Sequence, residues 1–91
     1  MNTESINCRL RAEGEPLQEP GDFKFDEDRE YLYIVLPGRK SADAIRIRRG
    51  AQGGDRVWGW DGNEEAPTLE PSILDHNHWH GYLRAGKLES C

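Results

Sequence analysis

The chain has 91 residues, the size of one small domain, and a formal net charge of −5 at pH 7. Its three Trp, three Tyr and two Phe supply large side chains for a core, which argues against general disorder. The sequence has no apolar run of the roughly 18 residues that a membrane span needs, and its first residues lack signal-peptide features. We therefore expect a cytoplasmic protein with no membrane partner, in which Cys8 and Cys91 are free thiols.

The charges are arranged in blocks of alternating sign. Residues 1–30 carry nine acids and four bases, residues 31–60 carry two acids and six bases, and residues 61–91 carry six acids and two bases. A nucleic-acid binder usually has a dominant basic patch and a high pI. The alternation instead favours charge pairing within the chain, or a surface matched to a protein partner.

The predicted elements of the first half are strands, because side-chain alternation with a period of two recurs and helical periodicity does not. The stretch INCRLR puts Ile6, Cys8 and Leu10 on one face. A loop rich in proline and glycine follows, and then a short strand, FKF, and a charged turn, DEDRE. The stretch EYLYIVLPG is apolar on both faces, which predicts a central strand that ends at Pro37 and Gly38.

The second half continues the same pattern. AIRIRR turns Ile45 and Ile47 inward and Arg46 and Arg48 outward, and RVWGW is a further strand. PTLEPSIL is extended, and HWHGYL and KLESC flank a short hairpin loop at residues 84–86. These six to seven short antiparallel strands predict an all-β domain, either a sandwich or a small open barrel.

Two late segments, WGWDGNEEAPTLEPSI and WHGYLRAGKLESC, resemble a family of small proteins of unknown function encoded by tailed phages and prophages. The resemblance covers residues 56–91 well and residues 31–55 loosely. It implies one domain over residues 1–91, with a variable part at 1–30 and a family-like core at 31–91. Many relatives carry extra cysteines that suggest a metal site, whereas only His80 and Cys91 stand at matching places here.

The three histidines, His76, His78 and His80, stand at alternate positions. In one strand they would project from the same face, with neighbours roughly 6–7 Å apart, and neutral imidazole suits zinc or another transition metal. Trp79 and Leu83 would then point to the opposite face, into the core. The simpler interpretation is that the histidines lie on a solvated strand face and bind no metal.

Large side chains in this region predict the core. Trp58 and Trp60 share one face of a strand, and a small domain must use its largest side chains to bury enough area. We expect a structural core that includes Trp58, Trp60, Trp79 and Leu83.

A basic strand offers a second candidate site. Arg46, Arg48 and Arg49 could follow nucleic-acid phosphates, with tryptophans stacking on bases, although a solvated outer face is the favoured interpretation. The chain has no nucleophile elbow, phosphate loop or paired Cys-x-x-Cys, and no residue is assigned as catalytic. The sequence therefore offers little support for an enzyme.

The preferred prediction is a phage-encoded accessory protein that binds a host or phage protein and inhibits host defence. Its binding surface would be the outward face of the last hairpin, formed by His78, His80, Tyr82 and Arg84. This prediction involves no cofactor and leaves a homo-oligomer open. The alternatives are a metal-binding protein or metal-dependent enzyme that uses the three histidines, and a nucleic-acid-binding module that uses the arginines.

Overall fold

The computed structural model describes residues 5–50, 56–75 and 78–91, and these residues form ten strands without a helix. None of them forms a helix with the length and hydropathy that a membrane crossing requires. The prediction of an all-β domain is confirmed. The strands are β1 (Ser5–Asn7), β2 (Arg9–Leu10), β3 (Asp22–Phe25), β4 (Tyr31–Ile34), β5 (Asp43–Arg49), β6 (Trp58–Trp60), β7 (Leu69–Glu70), β8 (Ile73–Asp75), β9 (Trp79–Arg84) and β10 (Lys87–Ser90).

The strands are arranged in two sheets. One has four strands in the order β1-β10-β9-β8, and the other has six in the order β2-β3-β4-β5-β6-β7. The described strands outnumber the six or seven that the sequence predicted, and two pairs, β2–β3 and β5–β6, are parallel rather than antiparallel. Side-chain alternation predicts the face that a residue occupies, but it does not encode the direction of the neighbouring strand.

One hydrophobic core lies between the sheets, because the two sheets contribute to the same cluster of buried side chains. The central position predicted for the apolar strand is observed: β4 pairs with β3 and β5, and Leu32 and Ile34 are fully buried. The buried cluster comprises Phe23, Leu32, Ile34, Leu36, Ile45, Ile47, Trp60, Leu69, Ile73, Leu83 and Leu88.

The residues predicted for the core occupy two kinds of position. Trp60 and Leu83 lie inside the cluster, with 5% and 0% of their surface exposed. Trp58 and Trp79 are half-buried and pack against its margin. Each of these two tryptophans donates a hydrogen bond from its indole N–H. Trp58 donates to the carbonyl of Ser72 at 3.2 Å, and Trp79 donates to the hydroxyl of Ser90 at 2.9 Å.

The turn between β9 and β10 is shorter than predicted, because β9 continues through Arg84 and leaves Ala85 and Gly86 as a two-residue loop. Both have positive φ, 47° and 75°, as a type I′ hairpin turn requires. The Ala85 amide donates to the Thr68 hydroxyl at 2.8 Å, and the Gly86 amide donates to the Pro67 carbonyl at 3.0 Å. The turn is therefore joined to the segment that leads into β7 and β8.

Candidate active site

Ser72 lies in the short connection between β7 and β8, the edge strands of the two sheets. It follows a cis peptide bond between Glu70 and Pro71. Its carbonyl accepts the Trp58 indole hydrogen bond described above, and Leu69 and Ile73 on either side are buried. The backbone around this half-buried serine is thus held on both sides by the core.

His80 lies on β9, and its imidazole meets the hydroxyl of Ser72. The β8–β9 register pairs Leu74 with His80, which makes Ser72 a diagonal neighbour on the same face of the sheet. Ser72 Oγ and His80 Nε2 are 3.1 Å apart, a hydrogen bond whose donor depends on the histidine tautomer. His80 is solvent-exposed. A serine and an imidazole in this contact have the geometry of a nucleophile and its general base.

Two backbone features complete the neighbourhood of the pair. The Ser72 amide donates no hydrogen bond to another described residue, so it is a candidate donor to a substrate oxygen. The strand beside His80 depends on glycine, since a Cβ at Gly81 would collide with the Trp79 ring and the Glu89 carbonyl. The indole therefore packs across Gly81 on the inner face, and His80 is directed outward.

A cleft of about 360 Å³ opens beside Ser72. One wall is residues 68–72, and the other is formed by Tyr82 and Arg84, which follow His80 at alternate positions on β9. The guanidinium carbon of Arg84 lies 3.8 Å from the centre of the Tyr82 ring. The wall from Tyr82 to Arg84 spans two residues of an extended strand, about 7 Å.

An ion pair attaches a neighbouring loop to β8. Arg39 donates two hydrogen bonds to the carboxylate of Asp75, at 2.7 and 2.8 Å. These hydrogen bonds lower the pKa of Asp75, although burial of the carboxylate opposes them. The Asp75 side chain is 8% exposed, and the Arg39 guanidinium compensates its charge on the inner face of β8.

The two cysteines are free thiols in different environments. Burial raises the pKa of Cys8 to about 12, the Leu88 backbone opposes this shift, and the negative charge of Asp22 adds to it. Cys8 is therefore a protonated, unreactive thiol at neutral pH. Cys91 is exposed, and its amide donates to the His80 carbonyl at 3.0 Å, which puts it across the strand from the histidine. Cys91 is thus the alternative nucleophile that an experiment must exclude.

The histidines are not arranged along one strand as the metal hypothesis assumed. His78 lies in the turn that joins β8 to β9, where its amide donates to the Asp75 carbonyl at 2.8 Å, whereas His80 lies in β9. His76 lies outside the described residues. Within residues 5–50, 56–75 and 78–91, there is no group of three or more His, Cys, Asp or Glu residues that could hold a metal ion. A zinc site that includes His76 stays a prediction.

The basic strand is β5. Arg46 and Arg48 are exposed and alternate with the buried Ile45 and Ile47, and Arg49 is exposed at the end of the strand. Trp60 pairs with Arg49 but is buried in the core, so it is not available to stack on a base, and nucleic-acid binding through the three arginines stays a prediction. The reason is parity, since the tryptophans of β6 share the inward face with the isoleucines of β5.

The proposed partner surface is divided between a strand and a turn. His80, Tyr82 and Arg84 alternate along the outer face of β9, while His78 belongs to the preceding turn. Protein binding through these residues stays a prediction. Tyr82 and Arg84 also line the cleft, and His80 contacts the Ser72 hydroxyl, a proximity that the sequence did not predict.

Ser72 itself was missed by the sequence analysis. A signal was present, because Ser72 follows a proline in one extended segment and His80 lies eight positions later in the next. The antiparallel pairing of β8 with β9 makes them diagonal neighbours, whereas the prediction that all three histidines lie in one strand is incompatible with that pairing.

Comparison with known proteins gives a family for the whole of this region. A family described as the serine protease of the bacterial ubiquitination-like system, BubE, matches residues 11–91. Neither the curated proteins nor the solved structures contain a match to the chain. The expectation of a phage accessory protein that binds a host or phage protein and inhibits host defence is wrong, because this family points to an enzyme component of a bacterial system. The chain belongs to the BubE family of serine proteases of the bacterial ubiquitination-like system.

Proposed function

We propose that the chain is a serine peptidase in which Ser72 is the nucleophile and His80 is the general base. The observation that carries the proposal is the 3.1 Å contact between Ser72 Oγ and His80 Nε2. Within the described residues, Ser72 is the serine whose side chain is hydrogen-bonded to a histidine. The family's description as a serine protease supports the same assignment.

The reaction follows from these two groups. With His80 neutral, Nε2 accepts the hydroxyl proton while Ser72 Oγ attacks the carbonyl carbon of a peptide bond. The tetrahedral intermediate collapses when the C–N bond breaks and His80 returns the proton to the leaving nitrogen, which leaves an acyl ester on Ser72. Water, deprotonated by His80, then hydrolyses the ester and releases the acid.

The substrate oxygen needs a donor as it becomes negative. The backbone N–H of Ser72 suits this role, because it makes no hydrogen bond to another described residue. A nucleophile's own amide is one of the two oxyanion donors in the serine-protease template. Within the described residues, His80 has no hydrogen-bonded carboxylate, so we propose a dyad rather than a triad.

The family name supplies the context of the reaction. We propose that the substrate is a polypeptide component of a ubiquitination-like system, cleaved at a peptide or isopeptide bond. An edge position suits such a substrate, because an extended chain tail can lie along the cleft beside β9 without unfolding of the rest of the substrate.

The first experiment identifies the nucleophile. The purified protein is treated with a fluorophosphonate, which acylates activated serines, and the labelled residue is located by peptide mass spectrometry. We expect labelling at Ser72, and loss of labelling and of fluorescein-casein hydrolysis by about 10³-fold or more in Ser72→Ala and in His80→Ala. Ser41→Ala, at an exposed serine remote from the histidine in sequence, is the matched control and should keep both.

A second variant tests whether Cys91 is the nucleophile instead of Ser72. Cys91→Ser should retain fluorophosphonate labelling and hydrolysis, because a cross-strand thiol is not required when Ser72 is the nucleophile. Unchanged hydrolysis in Ser72→Ala together with its loss in Cys91→Ser would refute the assignment and make Cys91 the nucleophile.

A further inference from the structure

The far end of the cleft from Ser72 carries a positive charge. The β8–β9 register pairs Ile73 with Gly81, so Ser72 lies beside Tyr82, and Arg84 is two residues further along the strand. Stacking on Tyr82, at 3.8 Å from its ring centre, holds the planar guanidinium against one wall of the cleft. Arg84 thus has a defined position although 56% of its side chain is exposed.

The hydrogen-bond donors of Arg84 are not used within the described structure. The nearest carboxylate oxygen, on Glu89, is 3.7 Å from Nη1, too far for a good hydrogen bond. By contrast, Arg29 and Arg39 donate to carboxylates at 2.7–3.0 Å. Arg84 therefore presents a forked set of N–H groups to the cleft, and this fork matches a carboxylate.

We propose that Arg84 binds a carboxylate of the substrate about two residues from the scissile bond. This inference rests on the proposed function. The distance follows from strand geometry, because two residues of β9 separate Tyr82 from Arg84 and an extended substrate rises by about 3.3 Å per residue. Glu70 on the opposite wall repels further negative charge, so the cleft favours one carboxylate over an acidic run.

The carboxylate can come from an acidic side chain or from the carboxyl end of the substrate. The two sources offer the same planar acceptor to the guanidinium, and Arg84 binds each through the same pair of N–H groups. Arg84 does not touch the reacting atoms, so it determines specificity through binding. Its contribution should therefore appear in KM, with kcat unchanged.

The test uses mixtures of eight-residue peptides in which one position at a time is Asp or Asn, with a free or an amidated carboxyl end. Cleavage is measured by mass spectrometry, which also locates the cleaved bond. We expect the carboxylate-bearing peptides to have about tenfold higher kcat/KM than their neutral counterparts, as loss of a charged hydrogen bond predicts. Preference for Asp over Asn indicates a side chain, and preference for the free over the amidated end indicates a terminus.

The variants separate charge recognition from folding. Arg84→Gln should abolish the preference, and Arg84→Lys should keep part of the preference because charge remains without the fork. Lys87→Gln is the matched control, since Lys87 is the exposed cross-strand partner of Arg84 and does not line the cleft. Thermal unfolding of each variant should coincide with that of the unmodified protein.

Binding to Ser72→Ala distinguishes failure of this inference from failure of the proposed function. If no mixture is cleaved in a Ser72-dependent way, the peptidase assignment fails. The carboxylate preference can still be read from peptide affinity for Ser72→Ala, where we again expect about tenfold tighter binding of carboxylate-bearing peptides. Absence of a carboxylate-dependent difference in both binding and cleavage, or a preference that persists in Arg84→Gln, overturns the inference.

Discussion

At the scale of single residues, the reactive and the stabilising groups of β8 and β9 lie on opposite faces. Ser72 and His80 meet on the solvent side, where water and substrate have access. Asp75 lies with the buried residues of β8, and its charge is compensated by two hydrogen bonds from Arg39. Such a buried carboxylate is costly to leave without its partner. The ion pair therefore stabilises the strand that begins next to Ser72.

Replacement of Asp75 with Asn should destabilise the fold by about 1–3 kcal/mol at pH 7, because hydrogen bonds to a charged acceptor are lost. The pKa of Asp75 is lowered from its ordinary value of 3.8. The stability that it contributes is thus fully present above pH 3.8 and is lost as the pH falls through the lower folded-state pKa. Urea denaturation at several pH values should show a smaller acid-induced loss in Asp75→Asn than in the unmodified protein.

Asp43 provides the control for this comparison. It lies 3.9 Å from the Arg39 guanidinium and its side chain is 40% exposed, so Asp43→Asn should change stability by less than about 0.5 kcal/mol. Equal acid sensitivity of Asp75→Asn and the unmodified protein would show that the Asp75 pKa is not shifted by folding.

At the scale of elements, β9 carries the outer wall of the cleft on one face and core residues on the other. His80, Tyr82 and Arg84 alternate with Gly81 and Leu83, and the latter two are buried. The end of β9 is held in place by the turn at Ala85 and Gly86, whose amides donate hydrogen bonds to the Thr68 hydroxyl and the Pro67 carbonyl. The turn is thus the element that fixes β9 relative to the opposite wall.

Ala85 is not the best residue for its position, because its φ of 47° lies in the left-handed region. Ala85→Asn should stabilise the protein by roughly 0.5–1 kcal/mol, since Asn-Gly is the favoured pair for a type I′ turn. Gly86→Ala should destabilise it by more than about 1 kcal/mol, because φ is 75° and the new Cβ would lie 3.0 Å from Ala66 Cα. Thermal unfolding measures both; a lower Tm in Ala85→Asn would contradict the turn assignment.

At the scale of the whole molecule, one core joins two sheets, and the candidate active site lies where their edge strands meet. Ser72 connects β7 of the six-stranded sheet to β8 of the four-stranded sheet. Buried Leu69 and Ile73 belong to these two strands and to the same core cluster. The position of Ser72 therefore depends on the packing of both sheets and not on either sheet alone.

Leu83→Ala should cost about 2–5 kcal/mol, because Leu83 is fully buried in the core. That is a large part of the roughly 5–15 kcal/mol by which a domain is stable. Leu74→Ala, on the neighbouring strand with 62% of its surface exposed, should cost less than about 0.5 kcal/mol. Urea denaturation followed by tryptophan fluorescence should show a single transition, whereas two transitions would mean that the sheets unfold separately.

Local side-chain patterns were enough to predict the fold class and which side chains point inward or outward in most strands. Alternation in AIRIRR correctly separated Ile45 and Ile47 from Arg46 and Arg48, and the doubly apolar YLYI correctly predicted the central strand. These results follow from local rules, because a strand's side-chain period is two wherever the strand lies. The Ala85–Gly86 turn was located to within one residue, because a glycine in the left-handed position is a local signal for a hairpin turn.

The neighbours of each strand, and the direction in which they run, could not be predicted from those local patterns. The parallel pairing of β5 with β6, the turn at His78 and the meeting of Ser72 with His80 all depend on contacts between segments that no local pattern specifies. A catalytic pair is defined by the distance between two side chains that lie on different segments of the chain. Sequence spacing predicts that distance only after the hairpin register is known, and the register is set by packing against the shared core.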